Sequence, residues 1–101
     1  MRAMFFCVNR IRVKGSTETY ERVYREGSDF MATLPGHVRH KLLRSLREPD
    51  VYISVAEWRD EDAYRSMCAV PRVREIFDQV ADIIDLENHE CEVVYEGGEA
   101  P

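Results

Sequence analysis

At 101 residues the chain has room for one domain with a modest core. Its apolar share of 45% and charged share of 33% are those of a globular protein, with a tail expected from about Glu96. A net charge of −5, with no Lys/Arg stripe interleaved with aromatics, argues against nucleic acid as a partner.

Residues 1–13 lack the apolar core and cleavage pattern of a signal peptide, and no apolar run reaches membrane-spanning length. The expected location is therefore the cytoplasm. Cys7, Cys68 and Cys91 are odd in number and form no CxxC pair, which reads as reduced core thiols.

Residues 4–13 alternate, with Phe5, Cys7, Asn9, Ile11 and Val13 on one face of a predicted strand. Asn9 is a polar amide in an otherwise apolar row. Residues 14–16 break the strand, and Ser16 or Thr17 can cap a helix. Over 18–34, Tyr20, Val23, Tyr24, Phe30, Met31 and Leu34 recur at helical steps. Gly27 lies on the same stripe and leaves room for a neighbouring element or a bound molecule. Pro35 and Gly36 end the helix.

A hairpin follows, with apolar-rich runs 38–46 and 51–58 joined by Arg47-Glu48-Pro49-Asp50. In its second strand Val51, Ile53, Val55 and Glu57 share one face. Tyr52, Ser54, Ala56 and Trp58 share the other. Arg39, Lys41, Arg44 and Arg47 read as its solvated edge.

The acidic segment 59–62 opens a short helix with Ala63, Tyr64, Met67 and Cys68 inward. Pro71 opens a further helix that runs on through Val73, Ile76, Phe77, Val80, Ile83 and Ile84. Glu87 and Asn88 then lead to a last strand, 89–95, carrying His89, Cys91, Val93 and Tyr95 on one face.

The resulting order is βαββαβ: an α+β, ferredoxin-like sandwich in which helices cover one face of a four-stranded antiparallel sheet. Residues 1–101 form a single such domain. The opposite sheet face carries Phe6, Val8, Val51, Ile53 and Val55, too apolar to leave wet. A second copy packed face to face, making a homodimer and a dimeric α/β barrel, is the expected cover.

Little in the chain resembles a standard catalytic motif. His37 and His40, three apart on a strand, are expected on opposite faces, packing or hydrogen bonding rather than sharing a metal. There is no nucleophile elbow, phosphate-cradling loop or HExxH helix, which weighs against hydrolases, kinases and zinc enzymes. Asn9 and Trp58 are both expected to look into the space between sheet and helices. Tyr20, Tyr24, Phe30, Tyr64, Met67 and Phe77 can wall that space, and such a pocket suits a flat aromatic ligand. On the residues alone, an Asn in a strand more often satisfies a backbone group or marks a bulge, and a lone Trp is usually core.

The stretch CVNRIRVKG, then LPGHVRH at 34–40, LLRS at 42–45, and Tyr52 through Glu57-Trp58, resembles the antibiotic biosynthesis monooxygenase superfamily. The likeness runs from residue 5 to about 95. It implies a ferredoxin-like dimeric barrel that works without flavin or metal. Within the superfamily the chain is most similar to the anthrone monooxygenases of aromatic polyketide pathways. These carry a strand Asn in a VNR context, matched by Asn9, and a Trp closing the third strand, matched by Trp58.

The resemblance implies oxidation of a reduced polycyclic phenol by O2 to a quinone. Asn9 and Trp58 would be catalytic. Tyr24, Phe30, Tyr52, Ser54, Tyr64, Met67 and Phe77 would bind the substrate. Two positions depart from the pattern: Ser54 stands where such enzymes often have Asn, and Ala81 where a helix Arg is found, with Arg72 and Arg74 close by in sequence.

The haem-degrading branch also uses a strand Asn. Its helix His and helix Trp, however, fall at Phe77 and Met67, and Phe cannot ligate iron. A polyketide cyclase, or a non-catalytic barrel that binds a small ligand, is the remaining alternative.

Overall fold

The computed structural model describes residues 4–99, so the predicted tail's Ala100 and Pro101, like residues 1–3, lie outside the described residues. Its elements are β1 (Phe5–Val13), α1 (Thr17–Met31), β2 (His37–Arg44), β3 (Val51–Trp58), α2 (Glu61–Cys68) and α3 (Pro71–Asp78). A 3-10 turn (Ala81–Ile83) then leads into β4 (Ile84–Glu92). The four strands form one antiparallel sheet in the order β2-β3-β1-β4. This is the expected ferredoxin-like α+β arrangement.

Local chemistry sets the helix starts. Ser16 Oγ accepts from the Thr19 amide at 3.1 Å and Asp60 Oδ1 from the Ala63 amide at 2.8 Å, so each satisfies a first-turn N–H. Pro71 opens α3, where its missing N–H has no partner to lose. Gly36 turns the chain into β2 at a φ of 87°, a left-handed conformation that favours glycine.

The core has two clusters on the helix-covered face. One holds Ile11, Val13, Tyr20, Val23, Tyr52, Ile76 and Val80, with Tyr24, Phe30 and Phe77 packed against it. The other holds Cys7, Trp58, Ala63, Tyr64 and Met67. Gly27 does leave room for a neighbouring element: a Cβ there would lie 2.4 Å from the Phe77 ring of α3. Gly27→Ala is therefore expected to lower stability by about 1–2 kcal/mol, overpacking outweighing the gain in helix propensity. Thermal unfolding would read this as a fall of several degrees.

Four expectations need correction. The last strand runs over Ile84–Glu92 instead of 89–95. Glu87 and Asn88 lie inside it, and Ile84 pairs with Val13. Helical spacing carried through Ile83 and Ile84 because a 3-10 turn also repeats at three residues. Strand β2 stops at Arg44, leaving Leu46 in the loop and almost wholly exposed. Cys68 is exposed and Cys91 half-buried, leaving Cys7 as the buried thiol. In α2, Tyr64 and Met67 take the inward positions, and Cys68 lies one residue further round the helix.

The fourth correction concerns the histidines. The β2–β3 register shifts between His37 and Arg39, a bulge that adds one residue to β2. His37 and His40 therefore do not point to opposite faces. Their rings meet, with His37 Nε2 2.9 Å from His40 Nδ1.

Candidate functional site

Asn9 pairs across the sheet with Ser54 on β3 and Asn88 on β4, and Ser54 pairs with Leu42 on β2. The row Leu42–Ser54–Asn9–Asn88 shares the helix-facing side with Cys7 and Ile11. It runs between the Trp58 cluster and the Tyr52 cluster. Asn88 Nδ2 donates to Asn9 Oδ1 at 2.7 Å and to Cys7 Sγ at 3.3 Å. That contact fixes the Asn9 amide. Its carbonyl oxygen is occupied, and its NH2 donates to no described residue.

Trp58 is fully buried, and its indole N–H has no hydrogen-bond partner among the described residues. His37 stands perpendicular to it at 5.3 Å between centroids, and Tyr64 meets it edge-on at 6.5 Å. A buried donor left unpaired costs about 1–3 kcal/mol. Such an atom is a ready contact for an acceptor on a bound molecule.

A cavity of about 560 Å³, within the range of small-molecule sites, opens between α1 and the β2–β3 edge. Glu21, Tyr24, Arg25, Ser28 and Asp29 line it from α1; His40, Leu42, Arg44 and Tyr52 line it from the sheet. Arg44 is thus part of this wall and not only the solvated edge of the hairpin. Ser28 is 1% exposed, and its hydroxyl faces the Tyr24 phenol. The Tyr52 hydroxyl donates to the Glu21 carboxylate at 2.5 Å, and the Arg44 guanidinium lies over the Tyr52 ring. Burial pushes the Tyr24, Tyr52 and Tyr64 phenols up, so all three are neutral at physiological pH.

The predicted wall is thus divided. Tyr24 and Tyr52 line the 560 Å³ cavity, with Phe30 and Phe77 packed behind them in the same cluster. Ser54, buried, lies beside Asn9 in the polar row. Tyr64 and Met67 pack with Trp58, and Met67 lines a second hollow of about 420 Å³ with Leu34 and Val70. Trp58 lines neither space. The larger cavity is also more polar than the aromatic pocket expected, carrying six polar or charged side chains among nine.

Arg72 pairs at the surface with Glu26 and Glu75, so it is held by carboxylates outside this wall. Among the described residues no group of three metal-ligating side chains comes together. No helix among them is long and apolar enough to cross a membrane.

The profile of the antibiotic biosynthesis monooxygenase family matches residues 4–79, and the chain belongs to that family. Over 64 residues it is 41% identical to the deoxynogalonate monooxygenase of Streptomyces nogalater. That alignment spans 63% of this chain and 54% of the relative. The structure of SnoaB, a cofactor-independent oxygenase from Streptomyces nogalater, superposes with a TM-score of 0.91 at 29% identity, covering 96% of this chain and 99% of SnoaB. A Nitrosomonas europaea protein assigned to antibiotic biosynthesis monooxygenases shares the fold, with a TM-score of 0.84 at 18% identity and 97% of each chain covered.

Proposed function

We propose that this protein is a monooxygenase that uses O2, without flavin or metal, to oxidise an anthrone-like polycyclic phenol of polyketide origin to a quinone. The supporting observation is the Asn9 amide, fixed by Asn88 with its NH2 donating to no described residue, in a chain with the fold of an oxygenase described as cofactor-independent.

The chemistry asks little of the protein. A phenol-conjugated anthrone has an acidic methylene, and its enolate is electron-rich enough to pass one electron to O2. Collapse of the radical pair joins carbon to oxygen, and loss of water from the hydroperoxide gives the quinone. The Asn9 NH2 stabilises the enolate oxygen as charge develops there. The 560 Å³ cavity admits the rings beside Tyr24 and Tyr52. Leu42 lines that cavity and starts the row that reaches Asn9 two strand spacings, or about 10 Å, away.

Oxygen-electrode traces with dithranol, a dihydroxylated anthrone, test the reading. Uptake dependent on protein supports it. A polyketide cyclase or a binding protein would consume no O2. The haem-degrading alternative meets Phe77, packed towards Gly27, where that branch carries its ligand.

The working unit in this proposal is a homodimer. On the face away from the helices, Phe6, Val8, Ile53 and Val55 form an apolar stripe continued by Leu43, which is 48% exposed. Burying it against a second copy would complete a dimeric barrel. Ile53→Asp would place a carboxylate in that interface and is expected to convert the dimer to monomer. Light scattering after gel filtration reads the mass directly; a monomeric wild-type protein would end the dimer proposal.

A further inference from the structure

We propose that His37 and His40 act together as a two-imidazole base that takes the substrate's methylene proton; this rests on the oxygenase reading above. The bulge in β2 brings both rings to the helix-facing side, Nε2 to Nδ1 at 2.9 Å. At that separation one ring donates and the other accepts, so the pair holds at most one extra proton.

The pair reaches from the cavity to the Trp58 cluster. His40 lines the cavity and meets Tyr24 edge-on at 6.4 Å. His37 stands on Trp58. A molecule in the cavity therefore has a proton acceptor beside it, and that acceptor can pass a proton on to His37.

The surroundings disfavour the charged form of His37. Burial first, and then the charge on His40, holds the His37 imidazolium below its ordinary range. Glu21, Tyr24, Arg25 and Asp29 face the cavity from α1, Tyr52 from β3 and Arg44 from β2 itself. Among the described residues, no carboxylate is paired with either imidazole. Glu21 is engaged by Tyr52 and Arg44.

The proton count closes with one base used twice. The pair first removes a methylene proton, leaving the enolate, which adds O2 to give a peroxide anion. The protonated pair returns that proton to the distal oxygen. The pair then removes the second proton on the same carbon as the O–O bond breaks, forming the carbonyl and releasing hydroxide. Hydroxide takes the proton from the pair, so one O2 gives one quinone oxygen and one water.

The test is kcat/KM for dithranol oxidation against pH. The wild-type rate should fall about tenfold per pH unit on the acid side, where the pair is protonated. His40→Gln should lose about 10²–10³ in rate and lose that acid limb. In His40→Ala, added imidazole should restore part of the rate, which a purely structural role would not allow. The proposal is overturned by a wild-type profile flat over roughly pH 5.5–8, or by a His40 variant that keeps both rate and acid limb. Absence of O2 uptake by the wild-type protein overturns the oxygenase reading and this proposal with it.

Discussion

Asn9→Ala is expected to cut kcat for dithranol oxidation by about 10²–10³-fold, the loss found when a single preorganised oxyanion donor is removed. Asn9 is half-buried, and its oxygen is held by Asn88. The substitution should therefore cost little stability. Asn9→Asp is the sharper variant, since it keeps the shape, replaces the NH2 donor by an acceptor and sets a negative charge against an enolate. Both variants should lose turnover while melting near wild type. Asn88→Ala should reduce kcat less, because it frees the Asn9 amide to rotate without removing it. Stopped-flow absorbance of the quinone measures all three, and an Asn9→Ala enzyme turning over at the wild-type rate would remove Asn9 from the mechanism.

Trp58→Ala carries the second large effect, and it falls on stability. The side chain is fully buried among Cys7, Ala63, Tyr64 and Met67, so truncation empties the centre of one of the two clusters. The expected loss is about 3–5 kcal/mol, a large share of what a domain of this size possesses. Urea unfolding should show a much lower midpoint with the slope little changed.

Trp58→Phe separates packing from chemistry. It keeps an aromatic ring in the cluster and removes an N–H that makes no hydrogen bond to the described residues. Its stability cost should therefore be smaller than that of alanine. A large fall in turnover in this variant would assign the indole N–H to a substrate or peroxide oxygen. Unchanged turnover would return Trp58 to the core alone.

The sheet and its helices were legible because alternation in β1 and β3 and the three-four spacing in α1 are strong, unmixed signals. β4 was not. Its helix-facing row reads Ile84, Leu86, Asn88, Glu90, and most of the strand is exposed at the sheet edge, so little apolar contrast marks it. Pairing with β1 holds it in place. For the same reason Asn88 carries no signal of its own in the sequence, although an alternation that begins at Ile84 puts it on the face of Asn9.

The histidine pair was hidden by a different cause. A single bulge residue reverses which side a strand's later residues face, and nothing in the run His37-Val38-Arg39-His40 announces it. Ser28 left a fainter trace, a small polar residue one turn after Tyr24 on an otherwise apolar stripe. Asn9 and Trp58 stood out for the right physical reason, being the polar exception in a strand row and the largest side chain at a strand end. Their separation into two environments, one row beside the cavity and one sealed cluster, depends on packing that no linear pattern carries.

The most direct test of the account is isotopic. Metal-free, flavin-free protein turning over dithranol under labelled O2 should place one labelled oxygen atom in each quinone carbonyl formed and the other in water, with one O2 consumed per quinone. Product lacking label, or turnover that begins only when a flavin or metal is added, would contradict it.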